Sequence, residues 1–337
     1  MAGALFYLAL AAVSTAVVWK SSNLLEEASE KLAAYYGLPA IVEGAVIAAV
    51  GSSFPELSST VLSVLIHGNF ELGVGAIVGS AIFNILVIPA VAVLGDGKVI
   101  DASRDIVYKE TQFYMLSVAV LLLTFSLAVI YNPLPGSALQ GGVTRWMALL
   151  PVLVYGLYIF IQYEDSEDQR NERELEISSP RQWALMSVSL VLIVLGVEGL
   201  VRSAISLGNI FNTPSFLWGL TIVAAGTSLP DTVVSYRAAK EGEGVVSISN
   251  VLGSNVFDLL IAIPAGVLLA GVTTINYAVA APMFGFLTLA TIVLFTALRT
   301  DLELYREEAY FLLMVYMLFL SWMVTETLGI SNLIPVS

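Results

Sequence analysis

The amino-acid sequence predicts an all-α membrane protein of ten transmembrane helices, arranged as two inverted-topology repeats of five. Three observations carry that prediction. The 337 residues are 58% hydrophobic and only 12% charged, half the roughly 25% charged of a soluble domain, and the mean hydropathy is +0.87. Ten apolar stretches are each long enough to cross a bilayer. Two long motifs, one in each half, are close copies of each other.

A helix needs about 20 apolar residues to cross the hydrocarbon core, more if it tilts. Such stretches run over residues 4–35, 39–66, 72–96, 110–131, 144–163, 182–208, 214–239, 244–271, 276–298 and 307–328. The first carries Lys20, Glu26, Glu27, Glu30 and Lys31 in its second half, so that half is either a long tilted helix or an interfacial one. Met1–Trp19 resembles a signal peptide in its small apolar residues, but it lacks a basic start and the apolar pattern continues past Lys20. It is expected to be a retained first span. With both termini outside, the inner ends hold Lys20, Lys31, Lys98, Arg104, Lys109, Arg170, Arg173, Arg181, Arg237, Lys240, Arg299 and Arg306, and the outer ends only Arg145 and Arg202. That asymmetry satisfies the positive-inside rule. It places the acidic segment 164–181 in the cytoplasm as a solvated linker, between a first five-helix repeat, 1–163, and a second, 182–337. A prokaryotic plasma membrane is the expected setting.

The two halves align. At a spacing of 175 residues Pro39, Gly44, Ile47 and Ala49 meet Pro214, Gly219, Ile222 and Ala224, and Gly51, Ser53 and Pro55 meet Gly226, Ser228 and Pro230. At 174, Gly79, Ser80, Phe83 and Leu86 meet Gly253, Ser254, Phe257 and Leu260. Five is odd, so the second half enters the membrane from the opposite side, the architecture of many secondary transporters.

The repeated motif points to hard cations. With no cysteine and a single histidine, His67, thiolate and histidine metal clusters are excluded, and only oxygen ligands remain. The net charge of −13 argues against nucleic acid as a partner. Pro55 and Pro230 have no N–H for the carbonyls of Gly51 and Gly226, so each helix breaks there. Irregular backbone at bilayer depth survives only in protein or beside a polar cavity. Ser52, Ser53, Thr227 and Ser228 add hydroxyls at the same level, and Glu56 and Asp231 directly follow the prolines. Ser80 with Asn84, and Ser254 with Asp258, are four apart and share a helix face. Calcium takes about 6–8 oxygens, a number these groups can supply.

Taken singly, serine, threonine, glycine and asparagine in membrane helices pack or bridge helices more often than they bind ions. The acids differ. A charge at bilayer depth costs at least about 2.5 kcal/mol, and no base neighbours Glu56, Asp231 or Asp258 in sequence. Glu198, by contrast, has Arg202 one turn on, which reads as an ion pair. Glu43 lies near a helix start, where the dipole favours an acid. His67 reads as an outer loop residue, and Met314–Met317 as lipid-facing or core.

On these motifs the chain resembles the cation/calcium exchanger superfamily, the sodium/calcium exchanger family in particular, over nearly its whole length. The runs Gly73–Asn84 and Gly253–Asp258 look like the potassium-dependent branch. Gly51-Ser52 and Gly226-Thr227 stand where the proton-coupled branch usually has Gly-Asn, and Pro89 and Pro264 stand near where relatives often have glycine. The resemblance implies calcium ligation by Glu56 and Asp231 with the carbonyls of Ala49, Ser52, Ala224 and Thr227. It implies sodium sites completed by Ser53, Ser80, Ser228, Ser254, Asn84 and Asp258, and first and sixth spans that slide across a core of broken helices. The expected function is exchange of sodium for calcium by alternating access, with potassium dependence open. A calcium/proton antiporter and a cation channel are the alternatives. Three ionised acids carry −3, which three sodium ions balance, or one calcium with one potassium. Calcium alone leaves −1, which a proton on Asp258 would cancel. No enzymatic motif, cofactor or obligatory protein partner is expected; the partners are inorganic cations and the bilayer.

Overall fold

The structure is a computed structural model that describes residues 2–36, 49–96, 99–104, 106–135, 139–165, 179–327 and 330–331. In chain order its elements begin with α1 (Ala2–Tyr35), α2 (Ala49–Ser52), α3 (Phe54–Leu65), α4 (Phe70–Leu86) and α5 (Ile88–Asp96). There follow β1 (Ile100–Asp101), a π-helical turn at Ile106–Glu110, α6 (Thr111–Tyr131), β2 (Gln140–Val143) and α7 (Arg145–Asp165). The second half has α8 (Ser179–Phe211), α9 (Ser215–Trp218), a π-helical turn at Gly219–Val223, α10 (Ala224–Thr227) and α11 (Leu229–Lys240). It continues with α12 (Gly244–Phe257), a π-helical turn at Asp258–Ala262, α13 (Ile263–Ala270), β3 (Thr273–Asn276), α14 (Tyr277–Arg299), β4 (Glu303–Leu304) and α15 (Arg306–Thr327).

Among the described residues eight helices are long and apolar enough to cross a membrane, and the pair Phe216–Thr227 and Leu229–Lys240, bent by 45° at Ser228, has the length and composition of a broken span or of a re-entrant loop. Of the ten expected spans, 39–66 is described only from Ala49 onward. Glu43 lies outside the described residues, as does most of the 164–181 linker. The first span resolves its ambiguity as one uninterrupted helix of 34 residues. Met314 and Met317 are exposed on α15, as expected of a lipid-facing surface.

Helices α1 and α8 lie antiparallel along their whole length. Gly3 approaches Ile210, Gly199 approaches Ser14 and Gly196 approaches Val18, while at the other end Trp183 Nε1 donates to Tyr36 Oη at 3.2 Å. The most deeply buried helices are the α4–α5 span and the α12–α13 span, and these carry the Gly-Ser motifs.

The all-α expectation omits two short sheets. β1 pairs with β4 and β2 with β3, both antiparallel. β1 lies between α5 and α6 and meets β4 between α14 and α15, while β2 lies between α6 and α7 and meets β3 between α13 and α14. Such pairings are too short, and too dependent on backbone groups alone, to leave an alternating pattern in sequence.

Candidate ion-binding site

Both prolines break their helices where the sequence requires. Ser53 separates α2 from α3 and Ser228 separates α10 from α11, with Pro55 and Pro230 in the first turn of the helix that follows. A first-turn proline has no unmet donor, so the break costs the second helix nothing. The Ser53 and Ser228 backbones are nearly the same, φ −92° ψ 9° and φ −81° ψ −2°. Beyond each break the acid sits in the first turn, where the helix N-terminus favours negative charge. The two Gly-Ser helices are also interrupted in matching fashion, α4 at Val87 before Pro89, and α12 by the π turn that begins at Asp258 before Pro264.

The breaks and the Gly-Ser helices meet in the interior. Glu56 is 1% exposed, Asp231 and Asp258 0%, and the three lie within electrostatic range of one another. Ser80 Oγ donates to Glu56 Oε1 at 3.4 Å and lies 2.6 Å from Ser228 Oγ. Thr227 flanks the same carboxylate. Asn84 Nδ2 donates to Asp231 Oδ2 at 3.2 Å, and Ser52 and Ser254 flank that acid. Ser53 lies beside Asp258. These contacts are twofold related. Glu56 has Ser80 of its own half and Thr227 of the other, and Asp231 has the aligned Ser254 and Ser52. Of the four carbonyls expected as ligands, those of Ala49, Ser52, Ala224 and Thr227, the Ala224 oxygen still accepts from Ser228 N at 3.0 Å and from Thr227 Oγ1 at 3.3 Å, which leaves little of it for a ligand. Ala49 is placed in α2, one turn before the break.

What the site lacks in partners is more telling than what it has. Glu56 Oε2, Asp231 Oδ1, both carboxylate oxygens of Asp258, Asn84 Oδ1 and Ser53 Oγ are buried without a hydrogen-bond partner in the protein. No lysine or arginine is buried among the described residues. An uncompensated buried charge costs several kcal/mol, and native proteins rarely leave buried polar atoms unmet. Six such oxygens, on side chains with acceptor capacity to spare, are of the type that hard cations take as ligands. The acids are dispersed: among the described residues no three acidic or histidine side chains gather tightly around one point.

Asn255 is a site residue that the sequence reading passed over. It is fully buried, accepts from Asn84 Nδ2 at 3.0 Å, and donates to the Ala81 carbonyl at 3.2 Å and to Tyr114 Oη at 3.4 Å. It thus fixes which way the Asn84 amide points. The signal was present, since Asn255 aligns with Ala81 and is the one position in Gly79–Asn84 and Gly253–Asp258 where a polar residue stands against an apolar one. Asn255→Ala is expected to cost about 1–3 kcal/mol by stranding buried donors and acceptors, read as a lower melting temperature in detergent. The Glu198–Arg202 pair forms as expected, at 2.6 Å. His67, in the loop after α3, is more than a loop residue, since its Nε2 lies 3.1 Å from both Glu198 oxygens.

The family model described as sodium/calcium exchanger protein matches residues 6–164 and 181–325, which include both motifs and all three acids. The chain belongs to the sodium/calcium exchanger family. Among its relatives, sodium/calcium exchanger MaX1 of Methanosarcina acetivorans is 25% identical over 340 aligned positions, covering 89% of this chain and 93% of that protein. Sodium/potassium/calcium exchanger 4 of Mus musculus is 39% identical over 138 positions, 41% of this chain and 19% of that protein. Among solved structures, the sodium-calcium exchanger NCX_Mj soaked with 2.5 mM Na+ and 1 mM Sr2+ superposes with a TM-score of 0.62 at 19% identity, over 94% of this chain and 97% of that one. The exchanger-family fold therefore extends over nearly the full length.

Proposed function

We propose that this member of the family is a secondary active antiporter that exchanges sodium for calcium across the membrane, by alternating access to the buried oxygen cage. The observation that carries the reading is the set of orphaned oxygens on Glu56, Asp231, Asp258, Asn84 and Ser53, with no buried basic side chain among the described residues to meet them. An empty cage with three ionised acids is costly to carry through an apolar barrier, so the protein moves when loaded. Three sodium ions, or calcium with one further positive charge, neutralise the same carboxylates, so the two cargoes exclude each other. Glu56 and Asp231, each held by residues of both halves, are the shared calcium ligands, with the Ser52 and Thr227 carbonyls at the breaks. Ser53, Ser80, Ser228, Ser254, Asn84 and Asp258 serve sodium. The Ala49 and Ala224 carbonyls join them once the helix hydrogen bond at Ala224 yields.

The architecture suits that task. We read the chain as two halves, 1–163 and 182–337, in opposite orientation, with the 164–181 linker in the cytoplasm and both termini outside. The antiparallel α1–α8 pair, the matched breaks at Ser53 and Ser228 and the exchanged sheets support an inverted repeat of ten spans, in which α1 and α8 move across the rest. Asp258 is the third charge, and the MaX1 and mouse relatives are named for sodium/calcium and sodium/potassium/calcium exchange respectively.

Uptake of calcium-45 into proteoliposomes, with sodium, potassium and protons varied separately, tests the reading. Calcium is expected to enter sodium-loaded vesicles and to stop when the sodium gradient is collapsed. The potassium arm shows whether that ion fills the Asp258 site. Uptake driven by a pH gradient in sodium-free buffer would assign proton coupling instead, and flux without any counter-ion would assign a channel.

A further inference from the structure

Outside the cage one acid stands in a setting of its own. Glu26 lies on α1, half-buried, and among the described residues no hydrogen bond or ion pair holds its carboxylate. It is within electrostatic range of Asp231 of the cage, of Glu30 one turn on, and of Arg237, which is exposed at the end of α11. One turn nearer the cage, Ser22 is 2% exposed and its Oγ has no partner. The spacing of four puts Ser22 and Glu26 on one helix face. A further seven residues back, Thr15 Oγ1 stands 2.8 Å from where a Cβ on Gly226 would lie, beside the α10–α11 break. Thr15, Ser22 and Glu26 thus form a polar line about 16 Å long at 1.5 Å per residue, from the cage to the end of the protein where α1 and α11 finish. The neighbouring acid is different: Glu27 is exposed and 3.7 Å from Lys31. So is the acid of the partner helix, since Glu198 is neutralised by Arg202 and faced by His67.

We propose that Glu26 and Ser22 form a second, weaker cation site, a staging post for sodium and calcium between the aqueous face at the ends of α1 and α11 and the central cage. It rests on the antiport reading and gives it an entry path on one face. A carboxylate with one free side toward water concentrates cations at the mouth of the path. The buried hydroxyl behind it replaces part of the hydration shell as the ion moves inward. Weak binding suits a relay, because the ion must also leave.

The test is exchange by the reconstituted full chain, with calcium and sodium varied on one face at a time. In water a unit charge at contact distance is worth a factor of about five for a monovalent ion, and the Coulomb energy doubles for a divalent one. Glu26→Gln is therefore expected to raise the half-saturating concentration roughly fivefold for sodium and up to about 25-fold for calcium, on the α11-end face alone. Ser22→Ala shifts it in the same direction by less, and Glu26→Asp restores the wild-type value. Glu27→Gln removes the same charge from the same helix and shifts neither face. Exchange failing in the wild-type protein overturns the antiport reading itself. Wild-type exchange with Glu26→Gln unchanged on both faces, or shifted equally on both, overturns the staging site alone.

Discussion

Replacing Glu56 with Gln is expected to abolish sodium-driven calcium uptake and yet to leave a better-folded protein in ion-free detergent. The carboxylate is 1% exposed, one of its oxygens has no partner and two other acids face it. Losing one member of a buried charge constellation typically costs about 3–5 kcal/mol, here taken from ion binding, or at least about 150-fold in uptake. The amide is isosteric and keeps an acceptor for Ser80, so the fold loses little. What disappears is an uncompensated buried charge, so the melting temperature without ions should rise. The stabilisation that calcium gives the wild type, about 2.7 kcal/mol at a hundred times its dissociation constant, should vanish. Uptake and melting curves with and without calcium read both effects. Normal exchange by the variant would remove Glu56 from the cage.

The second large effect is structural. Gly75 and Gly79 are four apart on α4, the small-residue spacing that lets membrane helices approach closely. A Cβ on Gly79 would collide with the Leu220 carbonyl oxygen and lie 2.7 Å from its backbone carbons, and one on Gly75 would lie 2.9 Å from the Phe216 carbonyl oxygen. These are backbone atoms that no rotamer change can move. Gly79→Ala is therefore expected to destabilise the protein by about 3 kcal/mol or more, at or beyond the upper end of ordinary overpacking. It pries apart the contact that sets Ser80 and Asn84 against the other half. Gly156→Ala is the control, because nothing lies within 4 Å of its added Cβ. It should be neutral, or stabilising by up to about 1 kcal/mol as helix propensity favours alanine. Thermal unfolding of the two variants in detergent should separate them widely. Equal melting temperatures would mean that the halves do not touch here.

The cage was legible in sequence because its devices are covalent and local. A proline fixes the break, an acid beside it fixes the charge, and a second copy fixes the partner. Glu56, Asp231 and Asp258 therefore all appear where the motifs put them, with Ser80, Asn84, Ser228 and Ser254 around them. What escaped depends on contacts between remote segments. Asn255 looked like one more small polar residue until Ala81, Asn84 and Tyr114 were seen to converge on it. The partner of His67 is 131 residues away, and nothing in its own loop announces it. The continuity of α1 past Lys20 was ambiguous for a different reason. Its charges sit on one face, and only packing against α8 decides between a tilted helix and a surface one.

The long α1–α8 pair has one more consequence. At 34 and 33 residues and 1.5 Å per residue, each helix is about 50 Å long, against a hydrocarbon layer of about 30 Å. Neither can stand upright without pushing turns into the headgroups, so both must lean. The angle at which this pair crosses its neighbours is thus partly a property of the lipid. Short acyl chains lay it flatter and long ones raise it, which makes bilayer thickness a mechanical load on this pair.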